Sequence, residues 1–223
     1  MGEKRKIIET VKSIVLDISP DGVIKDAQEA GLEVSEIEDF REQSHNYWRI
    51  EDLMETYAGL ASRYSAASGA SAGIGGFATA VTLGGVDIAN MAAQLYRFSN
   101  RAAILNGFDP ENPAQREKTN EVYLYALGFD AAAQAAIKQQ MGRAAAIAGK
   151  RGAYGNPVLK LIVIVAEKIG AQITSKQAAK FIPIVGGAAG ATVNYVFAKR
   201  AAKKIMTSFR EEYFRTWQAA NRQ

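Results

Sequence analysis

Residues 64–86 read YSAASGASAGIGGFATAVTLGGV, lie between Arg63 and Asp87, and carry no charge. Six of them are glycine, and most of the others are Ala, Ser and Thr. A helix of this length reaches across a bilayer. Insertion is driven by Leu, Ile and Phe, however, and the stretch holds one of each, Leu83, Ile74 and Phe77. The composition favours burial in a helical domain over stable spanning. Gly69 and Gly73 stand four apart, so on a helix they share a face and open a groove for close backbone approach. Gly76 lies in the same run.

A second uncharged run, Phe181–Ala198 (FIPIVGGAAGATVNYVFA), repeats the pattern. It contains Pro183, the four-residue spacing Gly186–Gly190, and Asn194 as its one amide.

Around both runs apolar residues recur at three and four, the period of a helix with one buried face. Ile7, Val11, Ile14, Val15 and Ile18 make one such face, and Leu53, Met54, Tyr57, Leu60, Ala61 and Tyr64 another. Ser19-Pro20-Asp21-Gly22 reads as the stop of the first helix, Gly31 as a break, and Ser35-Glu36-Ile37-Glu38 as a new start. Asp87 is placed as the N-cap of a helix carrying Ile88, Met91, Ala92, Leu95, Phe98, Ala102 and Leu105. Asn106-Gly107 ends that helix, with glycine in a left-handed cap. A polar loop with Asp109 and Pro110 follows, and Pro113 opens a helix drawn through Leu127 into the alanine-rich 131–148. Residues 149–157 read as a linker. Val158–Ile173 is assigned to helix because it outruns a typical strand. Val193, Phe197, Ile205, Phe209 and Tyr213 then stripe a last helix to about Trp217. No stretch alternates as a strand does.

The predicted fold is all-α: one compact domain of about seven or eight helices, two of them central and Gly/Ala-rich. Residues 1–45 are assigned to an N-terminal amphipathic helix and an acidic helical segment, and residues 46–223 to the main domain.

The composition narrows the chemistry. There is no cysteine and one histidine, His45, so thiolate chemistry is excluded and a metal site would need carboxylates alone. Glu36, Glu38, Asp39 and Glu42 read as a solvated face, and no metal or cofactor is expected. Gly69-Ala70-Ser71-Ala72-Gly73 matches the hydrolase elbow G-x-S-x-G, which needs a strand before the serine. A helical pattern precedes it, and the base would have to be His45, read as a half-buried packing residue. Gly73–Ala78 fits a loose dinucleotide fingerprint, but again without its strand. The net charge of +4 is modest, and no nucleic-acid module is present. Basic residues cluster near the ends, and Lys199, Arg200, Lys203 and Lys204 directly follow the second run. Such a stripe faces water by default, and beside an apolar run it suits anionic lipid headgroups. The start MGEKRKIIET has no apolar core after its basic residues, so the protein is expected in the cytoplasm. A buried polar contact between Asp87 and Asn194 is the sharper alternative to a capping role for Asp87.

Three stretches together resemble the bacterial EcsC family. They are the glycine-rich run ending in Val86-Asp87-Ile88, the loop NGFDPENPAQRE at 106–117, and KFIPIVGGAAGATVNYVFAKRAAKKI at 180–205. The likeness covers roughly residues 45–215 and departs mildly at Val86, where family members often carry Ala. It supplies no catalytic set. Asp87, Asn194, Gly69, Gly73, Gly76, Gly107, Asp109, Pro110, Pro183, Gly186 and Gly190 are positions of the family pattern. The family is named for a gene product encoded beside an ABC transporter, which implies work close to a membrane.

The expectation is therefore a non-enzymatic helical accessory protein, peripheral at the inner face of the cytoplasmic membrane. Its partner would be an anionic membrane surface or lipid, with Lys199, Arg200, Lys203 and Lys204 facing it. A membrane protein or a second copy bound in the glycine grooves is an alternative, and so is a hydrolase using Ser71. No nucleic acid is expected.

Overall fold

The computed structural model describes residues 11–15, 18–69, 76–148, 156–178 and 187–218, and among these helix is the only regular structure. Residues 11–15 are helical (α1), with Val11 fully buried. Next come α2 (Pro20–Glu29), a 3₁₀ segment (Ile37–Asn46), α3 (Tyr47–Gly69), α4 (Gly76–Leu105), α5 (Pro113–Ala126), α6 (Ala131–Ala148), α7 (Pro157–Ala178) and α8 (Gly187–Tyr213). A single π-helical turn, Phe214–Gln218, follows α8. The all-α reading holds, as does the assignment of the Val158–Ile173 region to helix.

Local chemistry explains most boundaries. Pro20 occupies the first turn of α2, where a missing N–H costs nothing. Asn112 caps α5 by accepting from the N–H groups of Ala114 and Gln115, with Pro113 as first helical residue. Asn156 does the same for α7, at 2.9 Å from the Val158 N–H. The Asp39 carboxylate accepts from the Ser35 N–H at 2.7 Å and from the Glu36 N–H at 3.1 Å, closing the start of the 3₁₀ segment. These bonds hold its pKa below the ordinary value. Gly31, Gly107 and Gly128 stand at φ 82°, 76° and 90° and end α2, α4 and α5.

Helix α4 is the axle. Met91, Leu95, Phe98 and Ile104 are buried, and so are Ala89, Ala93 and Ala103 between them, so from Ala89 onward it is covered almost all round. It packs on α2, α3, α5, α7 and α8. Helices α3 and α4 form an antiparallel hairpin. Asn90 Nδ2 donates to the Tyr64 carbonyl at 3.1 Å, the Arg101 guanidinium lies 4.8 Å from the Tyr57 ring centre, and Asn106 Nδ2 meets Met54 Sδ at 3.4 Å. Helix α8 runs antiparallel to α3, with Tyr213 against Tyr47 at 4.7 Å between ring centres and Arg210 paired to Glu51 at 2.8 Å. Both α4 and α8 are thus antiparallel to α3, and both begin at the end where α3 finishes.

Four sequence expectations are corrected. Asp87 does not cap a helix: α4 starts at Gly76 and continues through Gly84 and Gly85, placing Asp87 in its interior. Two mid-helix glycines cost about 2 kcal/mol, which packing of α4 against five other helices offsets. Residues 113–148 are two helices, because Gly128 adopts a left-handed φ and Asp130 caps the next helix by accepting from the Ala133 N–H at 2.8 Å. Ser19-Pro20-Asp21-Gly22, read as a stop, opens a helix, with Pro20 as its first residue. His45 is exposed, not a packing residue.

Candidate functional site

The hairpin divides the 64–86 run between two helices, with Tyr64–Gly69 in α3, Gly76–Val86 in α4, and 70–75 outside the described residues. The described part of the second run, Gly187–Ala198, is the beginning of α8. Tyr64 lies seventeen residues after Tyr47, and Val196 seventeen before Tyr213. With the common rise of about 1.5 Å per residue, Tyr64 and Val196 stand at about the same height. The described parts of the two uncharged runs therefore converge on one end of the bundle.

Large apolar side chains remain open to water there. Leu60 and Tyr64 of α3 and Tyr195 and Val196 of α8 are among the exposed hydrophobic residues, with Tyr64 53% exposed. Arg63, Lys199 and Arg200 are exposed in the same turns, and Lys203 and Lys204 follow one turn on. Lys204 lies 5.7 Å from the ring centre of Tyr125. Ser62 and Ser65 spend their hydroxyls on the carbonyls of Ala58 and Ala61, at 2.8 and 2.7 Å. They add little polarity to the surface.

Asp87 is the one charge in the thirty-three residues from Tyr64 to Tyr96. It is 6% exposed, and burial raises its pKa to about 6. One turn on, the Asn90 amide ties α4 to the Tyr64 carbonyl. Asn194 is half-buried in α8, and no hydrogen bond joins it to Asp87 among the described residues. The alternative reading of Asp87, a hydrogen bond to Asn194, is not met among the described residues. Gly69 closes α3, Gly76 opens α4 and Gly190 lies in the first turn of α8. Gly73, Pro183 and Gly186 are outside the described residues.

The other end is built around the loop after α4. Asn106 is fully buried. Its amide oxygen accepts from the Tyr47 hydroxyl at 2.8 Å, and its amide nitrogen donates to the Ala102 carbonyl at 2.7 Å. Its own carbonyl accepts from the Trp217 indole at 2.9 Å. Arg41 donates to the Gly107 carbonyl at 3.0 Å and stacks 4.5 Å from the Trp217 ring centre. Tyr213 donates toward the carbonyls of Phe40 and Arg41, each at 3.1 Å. Asp109 accepts from the Glu111 N–H at 2.7 Å around Pro110. Gly107, Asp109 and Pro110 thus shape a turn and lie far along the bundle from Asp87. Arg41, Asn106 and Trp217 were not singled out by sequence reasoning. The Asn-Gly pair signalled only a turn, and nothing local marks the partners of Asn106.

A serine elbow with His45 as its base lacks its framework. Ser71 lies outside the described residues, but helix α3 precedes it where an elbow needs a strand. Gly69 is roughly 33 Å along α3 from Tyr47, the neighbourhood of His45. The two residues from Gly69 to Ser71 span at most about 7 Å. His45 cannot serve as its base. Among the described residues no group of His, Asp and Glu is placed to hold a metal ion.

No curated protein matches the chain, and no solved structure does. The sequence model of the EcsC protein family matches residues 4–213, which takes in the glycine-rich hairpin, the Asn106–Pro110 turn that anchors the opposite end, and α8. The chain belongs to the EcsC protein family.

Proposed function

We propose that this protein is a non-enzymatic accessory factor that seats the uncharged end of its bundle on an anionic membrane surface. The observation that carries the reading is the convergence there of the described parts of both uncharged runs, with Leu60, Tyr64, Tyr195 and Val196 exposed and Arg63, Lys199 and Arg200 in the same turns. Apolar and aromatic side chains enter the headgroup boundary while neighbouring cations meet lipid phosphates, and each adds affinity. Among the described residues no helix is long and apolar enough to cross a membrane, and the contact proposed is interfacial. The site is then a surface.

Flotation with phosphatidylcholine vesicles, with and without phosphatidylglycerol, tests this. The protein should float with the anionic vesicles, less so at high salt, and the variant K199Q/R200Q should float less. Protein that stays at the bottom of the gradient with both kinds of vesicle would overturn the reading.

A further inference from the structure

We propose that the Asn106-Gly107 step is a concealed deamidation site, shut in the folded chain, reached when the C-terminal turn lifts, and unable to close again afterwards. This goes beyond membrane seating and does not rest on it. In deamidation the Gly107 amide nitrogen attacks the side-chain carbonyl carbon of Asn106 and gives up its proton as ammonia leaves. Water then opens the resulting succinimide at either carbonyl, leaving aspartate or isoaspartate. Glycine after the Asn favours the attack, because no Cβ shields its N–H. Asn106-Gly107 is the one Asn-Gly step in the sequence.

The folded structure engages both reacting groups. The Gly107 N–H donates to the Ile104 carbonyl at 2.9 Å. The Asn106 amide is held from two sides, Oδ1 by the Tyr47 hydroxyl at 2.8 Å and Nδ2 by the Ala102 carbonyl at 2.7 Å. Turning that amide toward the Gly107 nitrogen strands a buried hydroxyl, which is costly. Both residues are buried, so the water that opens the ring is excluded too. Their backbone carbonyls are fixed from outside α4, by the Trp217 indole at 2.9 Å and by Arg41 at 3.0 Å. Trp217 belongs to the turn Phe214–Gln218, which contains no buried residue. A segment with so little buried surface opens ahead of the core.

The product cannot take the place of the amide. A carboxylate only accepts hydrogen bonds. The oxygen replacing Nδ2 would face the Ala102 carbonyl and the Met54 sulfur with no hydrogen to offer. A fully buried charge adds its own cost. Isoaspartate lengthens the backbone by a methylene where Gly107 makes its left-handed turn. A transient opening is thereby fixed as a covalent change.

The test follows deamidation at position 106 by peptide mass mapping of the full chain in mildly alkaline buffer, with and without guanidinium chloride. The folded chain should deamidate at least about tenfold more slowly than the unfolded one, since the rate follows the open fraction. W217F should deamidate faster than the unaltered chain in buffer and equally fast in guanidinium chloride. I169V, which removes a buried methyl from α7, should match the unaltered chain in both. For the product, N106D is made in a W48F background, where Trp217 is the remaining tryptophan. Its emission should shift to the red as the indole enters water. Equal rates in buffer and guanidinium chloride overturn the proposal, as does W217F reacting in buffer no faster than the unaltered chain. Equal acceleration by I169V overturns it too, because unfolding of the whole molecule would then expose the site. A folded N106D with unchanged Trp217 emission also defeats it, since the turn would close over the product. If N106D loses its helical circular dichroism, the rates decide.

Discussion

The two ends of the bundle solve opposite problems. At the Asn106 end, an amide, a guanidinium, an indole and a phenol are inserted among aromatic rings, and their polar groups find partners. At the glycine-rich end, Asp87 is buried with its pKa pushed upward, and four large apolar side chains are left open. Paired burial stabilises and fixes one arrangement, whereas burial of a charge and exposure of apolar surface cost stability. The contrast teaches where stability resides. The first end locks the helices together, and the second is available for contact.

That contrast can be broken most sharply at the lock. Asn106→Ala removes three side-chain contacts and leaves the Tyr47 hydroxyl without its acceptor. It should cost about 3 kcal/mol in urea unfolding, and a loss below about 1 kcal/mol would show that the network is not a lock. Gly107→Ala comes next. The residue sits at φ 76°, and a Cβ there would lie 2.6 Å from Arg41 Cγ, so about 2 kcal/mol should be lost by the same measurement.

At the other end the sign reverses. The Asp87 pKa is raised above its unfolded value, so the folded state binds the extra proton between about pH 4 and pH 6. This group's contribution to stability is largest below that window and is lost as pH rises through it. Asp87→Asn should stabilise the protein by about 1 kcal/mol at pH 7.5 and flatten the pH dependence across the window. Destabilisation at pH 7.5 would mean that the carboxylate has a partner it needs. The smallest stability effect belongs to K199Q/R200Q, within about 0.5 kcal/mol because both side chains are exposed. Its effect on vesicle flotation should nevertheless be clear, which separates the contact surface from the scaffold.

The helical class was legible because apolar residues three and four apart need only local sequence to be seen. Leu95, Phe98, Ala102 and Leu105 are buried on α4, and Ile205, Phe209 and Tyr213 on α8. The left-handed stop at Gly107 was legible for the same reason, since an Asn-Gly pair after a periodic run has few other uses. Asp87 misled. Judged locally, an Asp directly after an uncharged run opens a helix, but the surrounding helices hold α4 as one helix from Gly76 through Asp87. The lock was not legible at all. Arg41 and Gly107 are separated by 66 residues and Asn106 and Trp217 by 111, and no local spacing encodes such pairs. Of the contact end, the sequence showed lack of charge and flanking cations. It did not show that two distant runs share one height, which follows from the antiparallel pairing of α3 with α4 and α8.

The antiparallel hairpin also has a kinetic consequence. Asn90 reaches Tyr64 across 26 residues, whereas Trp217 reaches Asn106 across 111. Closing a short loop loses less chain entropy than closing a long one, so local contacts form earlier on the way to the native state. Helices α3 and α4 can therefore pair before the C-terminal turn returns to seal the opposite end. Trp217→Phe should then speed unfolding and leave the folding rate nearly unchanged, a φ-value close to zero in a stopped-flow chevron, with a value near one ruling out this order. The last residues to dock would act as a latch on unfolding, setting how long the folded molecule persists and contributing little to how fast it is reached.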